Sequence, residues 1–445
     1  MASGWEDAPG RQGMPPRCPS GVRLCGTLEN PRSSIPALMK LLHQLRIALL
    51  LVVASAAPLA AATVTVTHAG DSGAGSLRAA VAGAGAGDVV TFAPALAGQT
   101  ILLTSGEIVL DKNLTIDGSS LASQIEINGN ATSRVFQVIG GVAVVLDSLT
   151  IANGFSEEDA GGGIDNAGTL TLNRCVLAGN HANSYGGAIE NNGTLTLNRC
   201  AFVGNSGEGG GAVDNNGPLV ANQCTFAGNT ITAGDGGAIW AGGSLAMTNC
   251  TVVGNAAPAG ATAGIAQFGA APINVANSIV ALNTNGNIGG SFTADGVNLI
   301  GGDPLLATLG NYGGPTLTRP PLPGSPAVDA GDNAVASSFA TDQRGFPRLA
   351  GAQVDIGAVE GVFNPAGVER WTEVSRLTDG SLRLAFTNFS GMPQVVLAST
   401  NLALPWTSWP VLGPALETPA NSGQFQFTDS QATNFSRRFY RVRSP

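Results

Sequence analysis

GGAIENNGTLTLNRCAFVGN, residues 186–205, contains three short runs, GGAI, LTL and CAF, in which apolar side chains alternate with small or polar ones. Such alternation buries one face of a β-strand and leaves the other outside. Asn192-Gly193, between the first two runs, is a turn signal. Close copies stand on both sides: GGGIDNAGTLTLNRCVLAGN at 161–180, GGAVDNNGPLVANQCTFAGN at 210–229 and GGAIWAGGSLAMTNCTVVGN at 236–255. Their cysteines, Cys175, Cys200, Cys224 and Cys250, advance by 25, 24 and 26 residues. Three strands per period of about 25 residues, stacked about 4.8 Å apart, describe one coil of a right-handed parallel β-helix. A propeller blade needs about 40 residues, and a leucine-rich repeat needs a Leu and Asn spacing that these copies lack.

Outward from the four copies the pattern loosens without stopping. Ser278 and Asn283 continue the Cys and Asn columns downstream, and Ser148 and Asn153 are expected to continue them upstream. Residues 101–299 amount to about eight coils at this period. An open solenoid end exposes strand edges and needs a cap. The Ala-rich stretch Ser76 to Ala84, opening on a serine suited to an N-cap, is expected to be a short capping helix. The fold class is thus all-β: a parallel β-helix over 63–310, a distinct segment at 311–360, and a small β-sandwich-like domain at 361–445.

Composition narrows the function. Glycine supplies 62 of 445 residues and charged residues only 11%, with a net charge of −9. Residues 63–360 carry eight basic and twenty-two acidic groups. That balance argues against nucleic acid, whose phosphates need a basic surface, and favours cations or neutral glycans. At the N-terminus, Lys40, His43 and Arg46 precede an apolar run from Ile47 to Ala57, and Ala60-Ala61-Ala62 supplies small residues for cleavage. These are the three parts of an export signal. Residues 39–62 are therefore expected to be a signal peptide, residues 1–38 a non-native extension, and the product a secreted or cell-surface protein. The apolar run is too short to span a membrane, which takes about 20 residues, and no other stretch spans one.

Stacking turns each repeat position into a column. The cysteines have apolar neighbours two residues on and are expected to be buried thiols in the core, in preference to disulfides between coils. Asn180, Asn205, Asn229 and Asn255 are expected to ladder their amides at a turn. Arg174 and Arg199 should face outward, and His181 should be a surface residue. Glu157-Glu158-Asp159 reads as a solvated charge run. Asp165, Glu190 and Asp214 each follow an inward Ile or Val and so should point outward, with Trp240 next in line. Three stacked carboxylates invite a cation, and calcium is the one whose oxygen-rich shell they suit, with Asn166, Asn191 and Asn215 beside them. An acidic row ending in an aromatic also suits a sugar. A solvated face is the plain alternative.

The paired GGAI and FVGN signatures, Gly186 to Ile189 with Phe202 to Asn205, resemble the repeat of polymorphic outer-membrane proteins. NYGGPTLTRPPLPGSPAVDAGD and TDQRGFPRLAGAQVDIGAVE, within 311–360, resemble the choice-of-anchor Q domain of bacterial surface proteins. The stretch from Val395 to the C-terminus is similar to β-sandwich tails of secreted bacterial proteins. These resemblances imply a structural or binding role at a cell surface, adhesin-like, with an extracellular glycan or cell-envelope component as partner, and no particular activity. The second class is a β-helical polysaccharide lyase or glycoside hydrolase. A glycosidase needs two or three carboxylates, which 165, 190 and 214 could supply, but the Gly-His-Gly of polygalacturonase-type hydrolases does not occur.

Overall fold

The structure is a computed structural model that describes residues 39–40, 61–363, 370–388, 394–404, 408–418 and 423–443. The expected extension and nearly all of the expected signal peptide lie outside the described residues. From Thr63 to Ile300 the chain winds as a parallel β-solenoid of about nine turns. Ten strands stack in sheet 1, nine in sheet 2 and eight in sheet 3. In the coil quoted above, Ile189–Asn191 belongs to sheet 3, Thr194–Asn198 to sheet 1 and Ala201–Val203 to sheet 2. A fourth sheet, of four two-residue strands including His181–Ala182 and Ser206–Gly207, lies between sheets 2 and 3 in chain order and escaped the sequence pattern. Runs that short show no alternation.

Register is strict. Leu195 pairs with Leu170 and Leu219, and Phe202 with Leu177 and Phe226. The core is therefore made of like side chains in columns, with the Phe202 and Phe226 rings stacked at 4.7 Å. The same register corrects the upstream copy. Val176 pairs with Thr150, which puts Leu149 in the Cys175 slot and Asn153 in the Gly179 slot. The expected slots for Ser148 and Asn153 were each one residue early. Ser148 instead joins a column of non-glycine residues with left-handed backbone: Ser148, Arg174, Arg199, Gln223, Asn249 and Asn277, with φ between 45° and 57°. These form the tight corner from sheet 1 to sheet 2.

Two polar columns hold the corners. Asn180, Asn205, Asn229, Asn255 and Asn283 form the expected ladder. Each amide oxygen accepts from the backbone N–H and the side-chain amide of the Asn one coil earlier, as at Asn180 to Asn205 (3.0 and 2.9 Å). The four cysteines are buried free thiols, as expected. They do not sit in a purely apolar slot, however. The Cys200 N–H donates to Cys224 Sγ, and the thiols donate to backbone carbonyls. Burial pushes the Cys175 and Cys224 thiols well above their ordinary values. In the last copy Ser278 makes the same contacts: Oγ accepts from Cys250 N–H and donates to Ala276 O.

The capping helix spans Leu77–Gly83, with Ser76 as N-cap accepting from Ala79 N–H. Arg78 is tied to Asp71 at 2.8 Å. Beyond the last coil, residues 303–363 form a belt along the outer face of sheet 2. Thr316 Oγ1 donates to Arg199 O, Gln343 bonds Cys200 O and Thr225 Oγ1, and Ala358 N–H donates to Thr251 Oγ1. The belt covers Val253, Ile279 and Ala281, which would otherwise be apolar and exposed. Its Asp342 accepts from Arg344 N and Nε, Phe346 N and Glu360 N, all inside the protein. At the C-terminal end of the belt, Gly361 N–H donates to Asp355 and the Phe363 ring packs on Tyr312. The C-terminal domain is a six-stranded antiparallel sheet curled around Leu384, Phe386, Val396 and Phe425.

Two outcomes follow from these contacts. Asn205→Leu strips four hydrogen bonds from buried groups and should cost at least about 3 kcal/mol, whereas Cys200→Ser keeps a donor and acceptor in place and should cost under about 1 kcal/mol. Denaturant unfolding of the two variants measures both. A chain ending at Phe363 should melt like the whole solenoid, while one ending at Gly302 should aggregate or melt lower because the belt-covered face is bare; circular dichroism on heating separates the cases.

Candidate functional site

The acidic column lies on sheet 3. Asp165 pairs with Glu190, Glu190 with Asp214, and Asp214 with Trp240, in the order expected. Gln137 occupies the preceding position and donates to Asp165 at 3.3 Å. The carboxylates are not equally outward. Asp165 and Glu190 are half-buried, but Asp214 is only 7% exposed. Its neighbours explain the burial: Trp240 stacks one coil on, and Asn216 Nδ2 donates to Asp214 Oδ2 at 3.0 Å.

Trp240 is not alone. Tyr185, from the loop before Gly186-Gly187, lies 5.0 Å from the indole between ring centroids, inclined at 59°. Phe268, one coil beyond Trp240 in the column of Asn216 and Gly242, lies 5.4 Å away at 74°. The three rings and the carboxylates of Glu190 and Asp214 line an open cleft of about 310 Å³. Gly209 makes room for it: a Cβ there would stand 2.5 Å from the indole and 3.1 Å from the Tyr185 ring. Sequence reasoning found the carboxylates and Trp240 but missed Tyr185, Phe268, Asn216 and Gly209. Tyr185 shares a column with Gly209, and Phe268 shares one with Asn216 and Gly242, so neither aromatic recurs and no repeat signature marks it. Aligning the copies column by column would have set Phe268 beside Trp240.

Burial raises the Asp214 carboxyl from 3.8 to about 6; Asn216 opposes the shift and Glu190 adds to it. Burial also raises Glu190, with Asn192 opposing and Asp165 adding. The calcium expectation loses its neutral donors. Asn166, Asn191 and Asn215 are fully buried and turn inward, their amides chained at 2.7 Å into a second ladder. Among the described residues, no three His, Cys, Asp or Glu side chains gather around a point where a metal could sit.

No protein-family profile, curated protein or solved structure matches this chain. The site is therefore read from its own chemistry.

Other sequence candidates lie apart from the cleft. His181 is half-buried rather than a free surface residue: its ring stacks on Phe155 at 5.7 Å and bonds Ser206 and Asn183. Arg174 is ion-paired with Asp147, and Arg199 reaches Thr341 of the belt. Asp159 of the charge run is exposed, 3.8 Å from Arg134.

The raised Asp214 value has a consequence for stability. Its folded value exceeds the unfolded one, so the folded state holds more protons between about pH 4 and 6 and stability falls as pH rises through that window. Glu360 of the belt, raised to about 8 by burial and by Asp355, extends the fall upward. The melting temperature should therefore drop from about pH 4 to about pH 8, and Asp214→Asn should flatten the part below about pH 6. Thermal melts across that range, wild type against variant, provide the measurement.

Proposed function

We propose that this chain is a secreted or cell-surface binding protein, adhesin-like, that takes up carbohydrate in the cleft between Tyr185, Trp240 and Phe268. The observation that carries the reading is the joining of three solvent-reachable aromatic rings to two carboxylates in one concavity. Ligand sites are concave, mostly apolar, and carry a few placed polar groups, and this cleft has that make-up. Sugars present an apolar C–H face to an aromatic ring and hydroxyls to carboxylates and amides. Glu190, Asp214 and Asn216 supply the second kind of partner, and the rings the first. The rigidity of the stacked sheet beneath keeps the groups in place without a ligand, which lowers the ordering cost of binding.

The export signal read at residues 39–62 and the resemblance of 311–360 to the choice-of-anchor Q domain both favour a cell-surface setting. A glycoside hydrolase is the second reading, favoured by one observation: Asp214, raised to about 6 beside Glu190, has the make-up of a proton donor next to a carboxylate.

A glycan array of neutral, acidic and basic oligosaccharides, probed with the full chain and with Trp240→Ala, tests the proposal. The wild type should retain a defined set of glycans, and Trp240→Ala should weaken them at least tenfold with its circular dichroism unchanged. Retention of nothing, or equal retention by both proteins, would contradict it. Shortened oligosaccharides released by the wild type and not by Asp214→Asn would replace binding with hydrolysis.

A further inference from the structure

The cleft's charges point to a narrower ligand class. Two carboxylates, Glu190 and Asp214, face it, and no Lys, Arg or His is among its lining residues. Asp214 is the more telling. It is 7% exposed, one carboxylate oxygen receives the Asn216 amide, and no donor among the described residues meets the other. That oxygen opens to the cleft, where a donor arriving with the ligand can take the place of water.

The rings have a matching arrangement. Inclined at 59° and 74° to the indole, Tyr185 and Phe268 are walls beside Trp240 and do not extend it into one flat platform. The indole face by itself takes one sugar ring, and the walls confine what lies beside it. Inclined walls suit a compact group, and the negative faces of aromatic rings attract a cation. The surrounding residues 63–360, with twenty-two acidic and eight basic groups, add a field of the same sign.

We infer that the group held in this cleft is a protonated amine, lying against Trp240 and donating to Asp214 and Glu190. The inference rests on the carbohydrate reading above, under which the carrier is a de-N-acetylated amino sugar in a glycan chain. The burial that raises both carboxyls agrees with a site completed by a positive charge.

Calorimetric titration of the full chain near neutral pH decides it, with three probes: a glucosamine oligomer, the N-acetylated oligomer of equal length, and ethanolamine, a protonated primary amine without a sugar ring. The amine oligomer should bind at least tenfold more tightly than the acetylated one, and Asp214→Asn or Glu190→Gln should erase the difference. Two variants guard against loss of fold in either, which circular dichroism checks. Equal or tighter binding of the acetylated oligomer would overturn the amine inference and leave the carbohydrate reading standing. Binding of ethanolamine alone, lost in Asp214→Asn, would uphold the amine and overturn the carbohydrate. Binding of none of the three would overturn both.

Discussion

In-register stacking is the constraint on which everything else depends, and the asparagine ladder is what enforces it. At Asn180, Asn205, Asn229 and Asn255 the side chain takes the place of a missing backbone partner in a buried corner, and hands the same task to the next coil. A slip of one residue would leave several buried N–H and C=O groups unmet at once, each costing about 1–3 kcal/mol. The second ladder, Asn166 to Asn191 to Asn215, repeats the arrangement at the corner between sheets 3 and 1. With two corners locked, the apolar columns between them stack like on like.

The cleft is a by-product of that lock. Because Asp214 pairs with Trp240 and Glu190 with Asp214, substitutions at one repeat position accumulate on one strip of surface. A carboxylate, a carboxylate and an indole in successive copies become neighbours with no special loop to bring them together. Tyr185 and Phe268 are added from flanking columns, and Gly209 leaves the space they need. The belt acts on a different face. It covers the apolar exterior of sheet 2, and its buried Asp342–Arg344 pair holds its own turn closed.

Much of this was legible in the sequence because a repeat states its architecture many times. Period, strand alternation, the Asn ladder, the buried cysteines and the capping helix at Ser76 all follow from residues that recur or from local signals. What was not legible lies where recurrence fails. The copy around Ser148 was misaligned by one residue because its Cys slot holds Leu149, which looks like any core leucine. Asn166, Asn191 and Asn215 looked like cation ligands because strand alternation alone does not show that a corner turns them inward. The belt was visible as a distinct segment, but its docking on sheet 2 depends on contacts more than 100 residues apart in sequence, such as Gln343 with Cys200. Tyr185 and Phe268 each occur once, and a single aromatic in a loop carries no pattern.

The central claim is that the strip built by register on sheet 3 is a ligand site. A crystal structure of the chain grown with glucosamine oligomer tests it most directly. The account predicts a sugar residue against Trp240, between Tyr185 and Phe268, with its amine on the Asp214 carboxylate. A sugar bound on another face, with this cleft empty, would contradict it.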